Sequence, residues 1–220
     1  RLRVGVSFDL SKAFDRVSWT AVAELFSATG MPPHLGGAFL DLYQCLRRHF
    51  QAPGSRVVST AAAPARGIPQ GCALAPAIMG LLVRFWIAVL QDIHLSGKLD
   101  LTATVDDLHV SLEYSATLGA TAARRQAESD LRKVSGRSVE FLTALGMQAN
   151  VAKCAAWTSR KSLVTASPRG VPLGRGVFPP WADRLRDVGV DFRGGWQGVS
   201  QVARRRLALI SKRAAEVRGA

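Results

Sequence analysis

The chain has 220 residues, 29 Lys and Arg against 16 Asp and Glu, a formal charge of +13, 48 % hydrophobic and 20 % charged residues. That apolar share suffices for a core and excludes a disordered chain, while the charge points to a polyanionic partner or a solvated basic tail. Cys45, Cys72 and Cys154 lie far apart, with no C-x-x-C and no His at ligand spacing, which argues against a disulfide framework or zinc site and for a reducing, intracellular setting.

Arg3 to Leu10 reads as a buried strand ending in a carboxylate. With neither a signal peptide nor an initiating Met before it, this opening predicts a piece cut from a longer chain. Ser18 caps a helix from Trp19 to Thr29, stopped by Gly30 and Pro32-Pro33. A second amphipathic helix fits His34 to His49, with Leu35, Phe39, Leu42, Tyr43 and Leu46 at three-and-four spacing and Arg47-Arg48 at its negative end. Residues 51–68 are rich in Pro, Gly, Ala and Ser, with a short strand at Arg56 to Ser59. Gly67-Ile68-Pro69-Gln70-Gly71 is a turn, followed by an apolar helix from Pro76 to Leu90. Ala73 to Leu90 is the one candidate membrane span, but Pro76, Arg84 and its bare 18 residues favour a buried helix.

Leu99 to Glu113 holds two alternating runs that meet at Asp106-Asp107, a hairpin with acids at its tip. Residues 117–145 form a long helix with a break expected near Gly136; Gly146 ends it, and Gln148 to Trp157 is the returning strand. Beyond Ser159 short strands fit Leu163 to Ala166 and Asp187 to Phe192, and a basic helix starts near Ser200 with Arg204, Arg205, Arg206, Lys212 and Arg213. This order matches the split β-α-β-β-α-β pattern and predicts an α+β fold, an antiparallel sheet covered by helices on one face. Residues 1–159 carry 16 basic and 12 acidic side chains, whereas residues 160–220 carry 13 and 4.

The split pattern brings Asp9 beside Asp106-Asp107, where like charges repel and a cation must hold them. Hard oxygen ligands suit Mg²⁺, and two such ions about 4 Å apart serve phosphoryl transfer by activating the attacking hydroxyl and stabilising the leaving oxygen. Taken singly, an Asp-Asp pair at a hairpin tip is turn chemistry and an Asp at a strand end is a cap. Their convergence in a basic chain favours the metal site.

The stretch Phe8-Asp9-Leu10-Ser11-Lys12-Ala13-Phe14-Asp15-Arg16-Val17 resembles motif A of reverse transcriptases, in the form carried by non-LTR retrotransposons. Residues Gly67 to Pro76 resemble motif B, Thr104-Val105-Asp106-Asp107 motif C, Leu145 to Lys153 motif D, and Asp187 to Phe192 the primer-grip hairpin, all in the family's order. The resemblance implies an RNA-directed DNA polymerase palm at residues 1–159, a primer-grip region at 160–199 and the start of a basic thumb helix at 200–220, with the fingers missing. It implies two Mg²⁺ ions, with Mn²⁺ a possible substitute, held by Asp9, Leu10, Asp106 and Asp107. Asp107 is the less secure ligand, because neighbouring strand residues point to opposite faces. Phe14 would exclude a 2′-hydroxyl, Gln70 and Gly71 would line the nucleotide and template site, and Lys153 would meet the pyrophosphate leaving group. Gly189, Arg204, Arg205 and Arg206 would contact nucleic acid. The implied partners are an RNA template, a DNA primer and dNTPs, with no membrane and no specific protein, and the implied compartment is the nucleus.

Two positions depart from the family. Thr104 stands where an aromatic precedes the motif C acids, and Ala75 where Ser precedes the motif B Pro. Neither is a metal ligand. A catalytically inactive relic that binds nucleic acid through its basic C-terminus is therefore the competing reading. A phosphoaspartate receiver would need alternating parallel strands and helices, which the paired runs around Asp106-Asp107 do not supply.

Overall fold

The computed structural model describes residues 1–47, 49, 51, 53–54, 56–104, 107–115, 119–159, 179, 181, 184–187 and 190–193. The chain forms two compact units, one of residues 1–9, 93–136 and 151–220, the other of residues 10–92 and 137–150.

The first unit is built on a four-stranded sheet of order β2-β3-β1-β4, with β1 at Leu2–Asp9, β2 at Lys98–Thr104, β3 at Asp107–Tyr114 and β4 at Ala155–Thr158. Each pairing is antiparallel. Leu108, Val110, Leu112 and Tyr114 are buried, while Asp107, His109, Ser111 and Glu113 between them are half-buried, the period-two pattern of a sheet with one covered face. The cover is α5 (Ala120–Ala144), whose Ala123, Ala127 and Leu131 pack with Leu2, Val4, Leu112, Tyr114 and Ala156. Small residues at a spacing of four let this helix approach closely. Arg3, Ser7 and Asp9 alternate with that packed set and lie on the other face, in register with Glu113, His109 and Asp107.

Asp130 on α5, only 1 % exposed, accepts hydrogen bonds from the backbone N–H groups of Ser96 (2.8 Å) and Gly97 (3.1 Å) and from the Tyr114 hydroxyl (3.0 Å). Lys133 Nζ lies 3.7 Å from its other oxygen. One buried carboxylate thus fastens the open end of the β2–β3 hairpin to the helix. Two further strands, β5 (Arg184–Asp187) and β6 (Val190–Arg193), form an antiparallel pair, and Trp181 bridges to Ala156 of β4.

The second unit holds α1 (Ala13–Arg16), α2 (Trp19–Ala28), α3 (Pro33–Cys45), α4 (Ala75–Gln91) and the end of α5. The Ser18 hydroxyl caps α2 by accepting from the Ala21 N–H at 3.4 Å. Phe26 of α2 meets Phe39 of α3 at a ring separation of 6.4 Å. Trp86 of α4 is buried and donates Nε1–H to Ser138 Oγ at 3.1 Å.

The structure shifts several expected boundaries. α3 stops at Cys45 rather than His49, because Leu46 is extended and Arg47 folds back to donate to the Cys45 and Leu46 carbonyls at 3.4 and 3.2 Å. Arg47 serves the negative helix end from outside the helix. α5 runs unbroken through Gly136, where buried Leu131, Val134, Ser135 and Ser138 outweigh the cost of about 1 kcal/mol for a helical Gly. The returning strand is shorter than Gln148 to Trp157: Ala149 makes one bridge to Leu10, residues 151–153 turn, and β4 starts at Ala155. Among the described residues, Arg56 to Ser59 contributes a bridge from Val58 to Gln51 and no continuous strand. The strand expected at Leu163 to Ala166 and the helix expected from Ser200 lie outside the described residues. Among the described residues no helix is long and apolar enough to cross a membrane.

Candidate active site

In the first unit, strand register brings three charged residues together. Asp9 ends β1 directly opposite Asp107, the first residue of β3. On its other flank Lys153 Nζ lies 3.4 Å from Asp9 Oδ2, and the Cys154 thiol approaches the Asp9 carbonyl oxygen at 4.0 Å. The Asp9 side chain is 26 % exposed, within reach of a ligand from solvent. Burial raises the Cys154 thiol pKa above its ordinary value, so this cysteine is an inert packing group.

Like charges set directly opposite on neighbouring strands destabilise a sheet unless a cation joins them. Two carboxylates in this relation are hard oxygen donors of the kind Mg²⁺ takes, and the residues present fit such an ion. Asp107 is thus the cross-strand partner of Asp9, a relation that the hairpin-tip reading left undecided. Asp106 lies outside the described residues, and among the described residues no three His, Cys, Asp or Glu side chains converge as a metal-ligand group.

The second unit organises the turn before α4. Lys12 adopts a left-handed conformation with φ at 51°, which turns the chain out of the bridge at Leu10 and into α1. Phe14 follows on α1, half-buried, and its carbonyl accepts the Ile68 N–H at 2.7 Å. Gly67 N–H donates to the Val17 carbonyl at 2.9 Å, and the Gly67 carbonyl accepts from Trp19 Nε1 at 2.9 Å. Only glycine fits there: φ is 95°, and a Cβ would stand 2.7 Å from the Asp15 carbonyl oxygen. Gly71 also has positive φ, at 90°, and Gln70 beside it is exposed. Ile68 is fully buried and pins the turn from beneath.

Two contributors to this turn were not singled out from sequence. The Tyr43 hydroxyl, buried on α3, lies 3.3 Å from Cys72 Sγ, and this contact lowers the thiol pKa, helped by the backbone N–H groups of Leu74 and Ala75 and opposed by burial. Tyr43 itself is raised above the ordinary phenol range, first by burial and then by Cys72. A lone Tyr on an apolar helix face carries no sign of such a partner 29 residues away. Trp19 was read only as the first residue of its helix.

The remaining expected site residues fall elsewhere. Leu10 is buried and bridges to Ala149. Gly189 and Arg204, Arg205 and Arg206 lie outside the described residues.

A sequence model of the family described as "Reverse transcriptase (RNA-dependent DNA polymerase)" matches residues 1–191. No curated protein matches at a significant level. Among solved structures, telomerase from Candida tropicalis in complex with a TWJ fragment of telomeric RNA is similar with a TM-score of 0.56 and 11 % identity, over 91 % of this chain and 30 % of that one. Apo telomerase from the same organism, truncated from its C-terminal domain, gives a TM-score of 0.44 and 13 % identity, over 87 % of this chain and 34 % of that one. The chain thus spans about a third of those solved chains. At such identity the likeness is one of fold.

Proposed function

The chain belongs to the reverse transcriptase (RNA-dependent DNA polymerase) family, and on that footing we propose that it is the palm of an RNA-directed DNA polymerase that adds dNTPs to a primer 3′-hydroxyl. The observation that carries this reading is Asp9 set opposite Asp107 across the β1–β3 ladder, with Lys153 of the turn before β4 at 3.4 Å on its other side. Asp9 and Asp107, with Asp106 and the Leu10 carbonyl, would hold two Mg²⁺ ions, or Mn²⁺ in their place. Those ions, when bound, supply the charge that activates the 3′-hydroxyl and steadies the α-phosphate and departing pyrophosphate.

The chain's own residues do the rest. Lys153, on a flexible stem beside the carboxylates, would protonate or neutralise the departing pyrophosphate. Phe14, anchored through its carbonyl by the Ile68 N–H, presents a half-buried ring that would close the space a 2′-hydroxyl needs. Gly71 keeps the turn free of side chain where nucleotide and template would pass, and exposed Gln70 offers them an amide. The assignment to the non-LTR retrotransposon type draws on the motif residues alone, and with it come a nuclear site of action and an RNA template with a DNA primer. Gly189 and the Arg204 to Arg206 run would then face the duplex.

The second reading is an inactive relative that binds nucleic acid, favoured by 13 basic against 4 acidic side chains over residues 160–220. It predicts salt-sensitive binding without synthesis. Primer extension on an RNA template, by the full natural polypeptide carrying these residues, separates the two. Asp9→Asn and Asp107→Asn should each lower extension more than about a hundredfold while duplex binding persists. Extension by both variants at the wild-type rate would remove the carboxylates from the mechanism.

A further inference from the structure

The sheet sets Asp9 between unlike neighbours. The β1–β3 ladder ends with Asp9 facing Asp107, and the β1–β4 ladder pairs Ser7 with Ala155. Two residues further on, Asp9 and Lys153 come to the same level, and Lys153 Nζ lies 3.4 Å from Asp9 Oδ2. The adjacent Cys154 thiol approaches the Asp9 carbonyl oxygen at 4.0 Å, so consecutive residues reach the same aspartate at two points. One flank repels the Asp9 charge and the other cancels it.

We propose that Lys153 is the built-in counter-ion of Asp9, a chain-borne cation that occupies the carboxylate until a divalent ion displaces it. This rests on the polymerase reading above. The consequence is an interlock: the event that loads metal onto Asp9 also frees the ammonium that is to meet pyrophosphate. Lysine suits the task because it is a compact point charge on a four-carbon stem that can swing without disturbing the backbone. Its side chain is 66 % exposed, and a pair in such a setting is weak enough to be displaced.

Direct metal binding, read without turnover, tests the proposal. Mn²⁺ is titrated into the full polypeptide, the free ion followed by electron paramagnetic resonance, for wild type, Lys153→Gln, Lys153→Arg and Asp9→Asn. Lys153→Gln should bind about two- to fivefold more tightly at low ionic strength, the strength of an exposed ion pair expressed as affinity. That gain should shrink as salt rises, and Lys153→Arg should stay near wild type. Equal or weaker binding by Lys153→Gln overturns the proposal, as does an Arg variant that binds as tightly as the Gln variant. If Asp9→Asn has meanwhile lost the ion, the polymerase reading survives that result. Should Asp9→Asn bind Mn²⁺ as wild type does, both readings fall.

Discussion

Asp9 and Phe14 are five residues apart in sequence and owe their settings to different units of the fold. Asp9 is defined by cross-strand neighbours, and Phe14 by a backbone hydrogen bond to the turn that carries Gly67 and Ile68. A core aromatic would be sealed, as Phe8 is with no exposure, but Phe14 keeps a solvent-facing part. Phe14→Ala should therefore reduce the preference for dNTP over the matching ribonucleotide by about tenfold or more, the scale on which pocket shape discriminates a small group. Single-nucleotide incorporation with each substrate measures this, and an unchanged ratio would remove that role from Phe14. At this scale the motif residues were readable because Asp9, Phe14 and Gly67 sit in short local patterns. The partners of Asp9 were only half readable. An Asp-Asp dipeptide does not say which acid faces across the strand, since that depends on a register set by residues far along the chain.

One buried carboxylate fastens the sheet to its covering helix, at the hairpin end away from Asp107. Asp130 ties α5 to both strands at the open end of the β2–β3 hairpin, and burial, with the Asp130 charge second, raises the Tyr114 hydroxyl above the ordinary phenol range. A phenol whose folded pKa is raised contributes stability that is fully present below its unfolded value. That contribution is lost as pH climbs from about 10 toward the folded value. Wild type should thus lose stability progressively through that alkaline window in urea unfolding. Tyr114→Phe should flatten the slope at the cost of the hydrogen bond, about 1 kcal/mol, at neutral pH. An identical alkaline slope in both proteins would contradict the buried pairing. None of this was legible beforehand: Asp130 reads as one more polar residue on a long helix. By contrast, α2 and α4 were bounded almost to the residue, because Ser18, Gly30 and the turn at Gly67 to Gly71 punctuate them locally. α3 and β4 were drawn too long because what ends them, a side chain folding back at Arg47 and a turn at 151–153, leaves no strong mark in sequence.

Over the whole molecule, charge and fold divide the work. Residues 1–159 hold most of the acids and a nearly balanced charge, while the surplus that makes up +13 is concentrated beyond them. The α+β sheet and its covering helix followed from alternating hydrophobicity and element order. Family membership followed from five short motifs in sequence, later matched over residues 1–191. The proposed role of the Asp9 and Asp107 carboxylates is in metal-dependent, RNA-templated DNA synthesis. Incorporation of a labelled dNTP opposite an RNA template by the full natural polypeptide, with metal stripped by EDTA and then restored as Mg²⁺, tests it most directly. Template-directed incorporation that EDTA abolishes and Mg²⁺ restores is expected; no incorporation by the wild-type protein at any Mg²⁺ concentration would overturn that role.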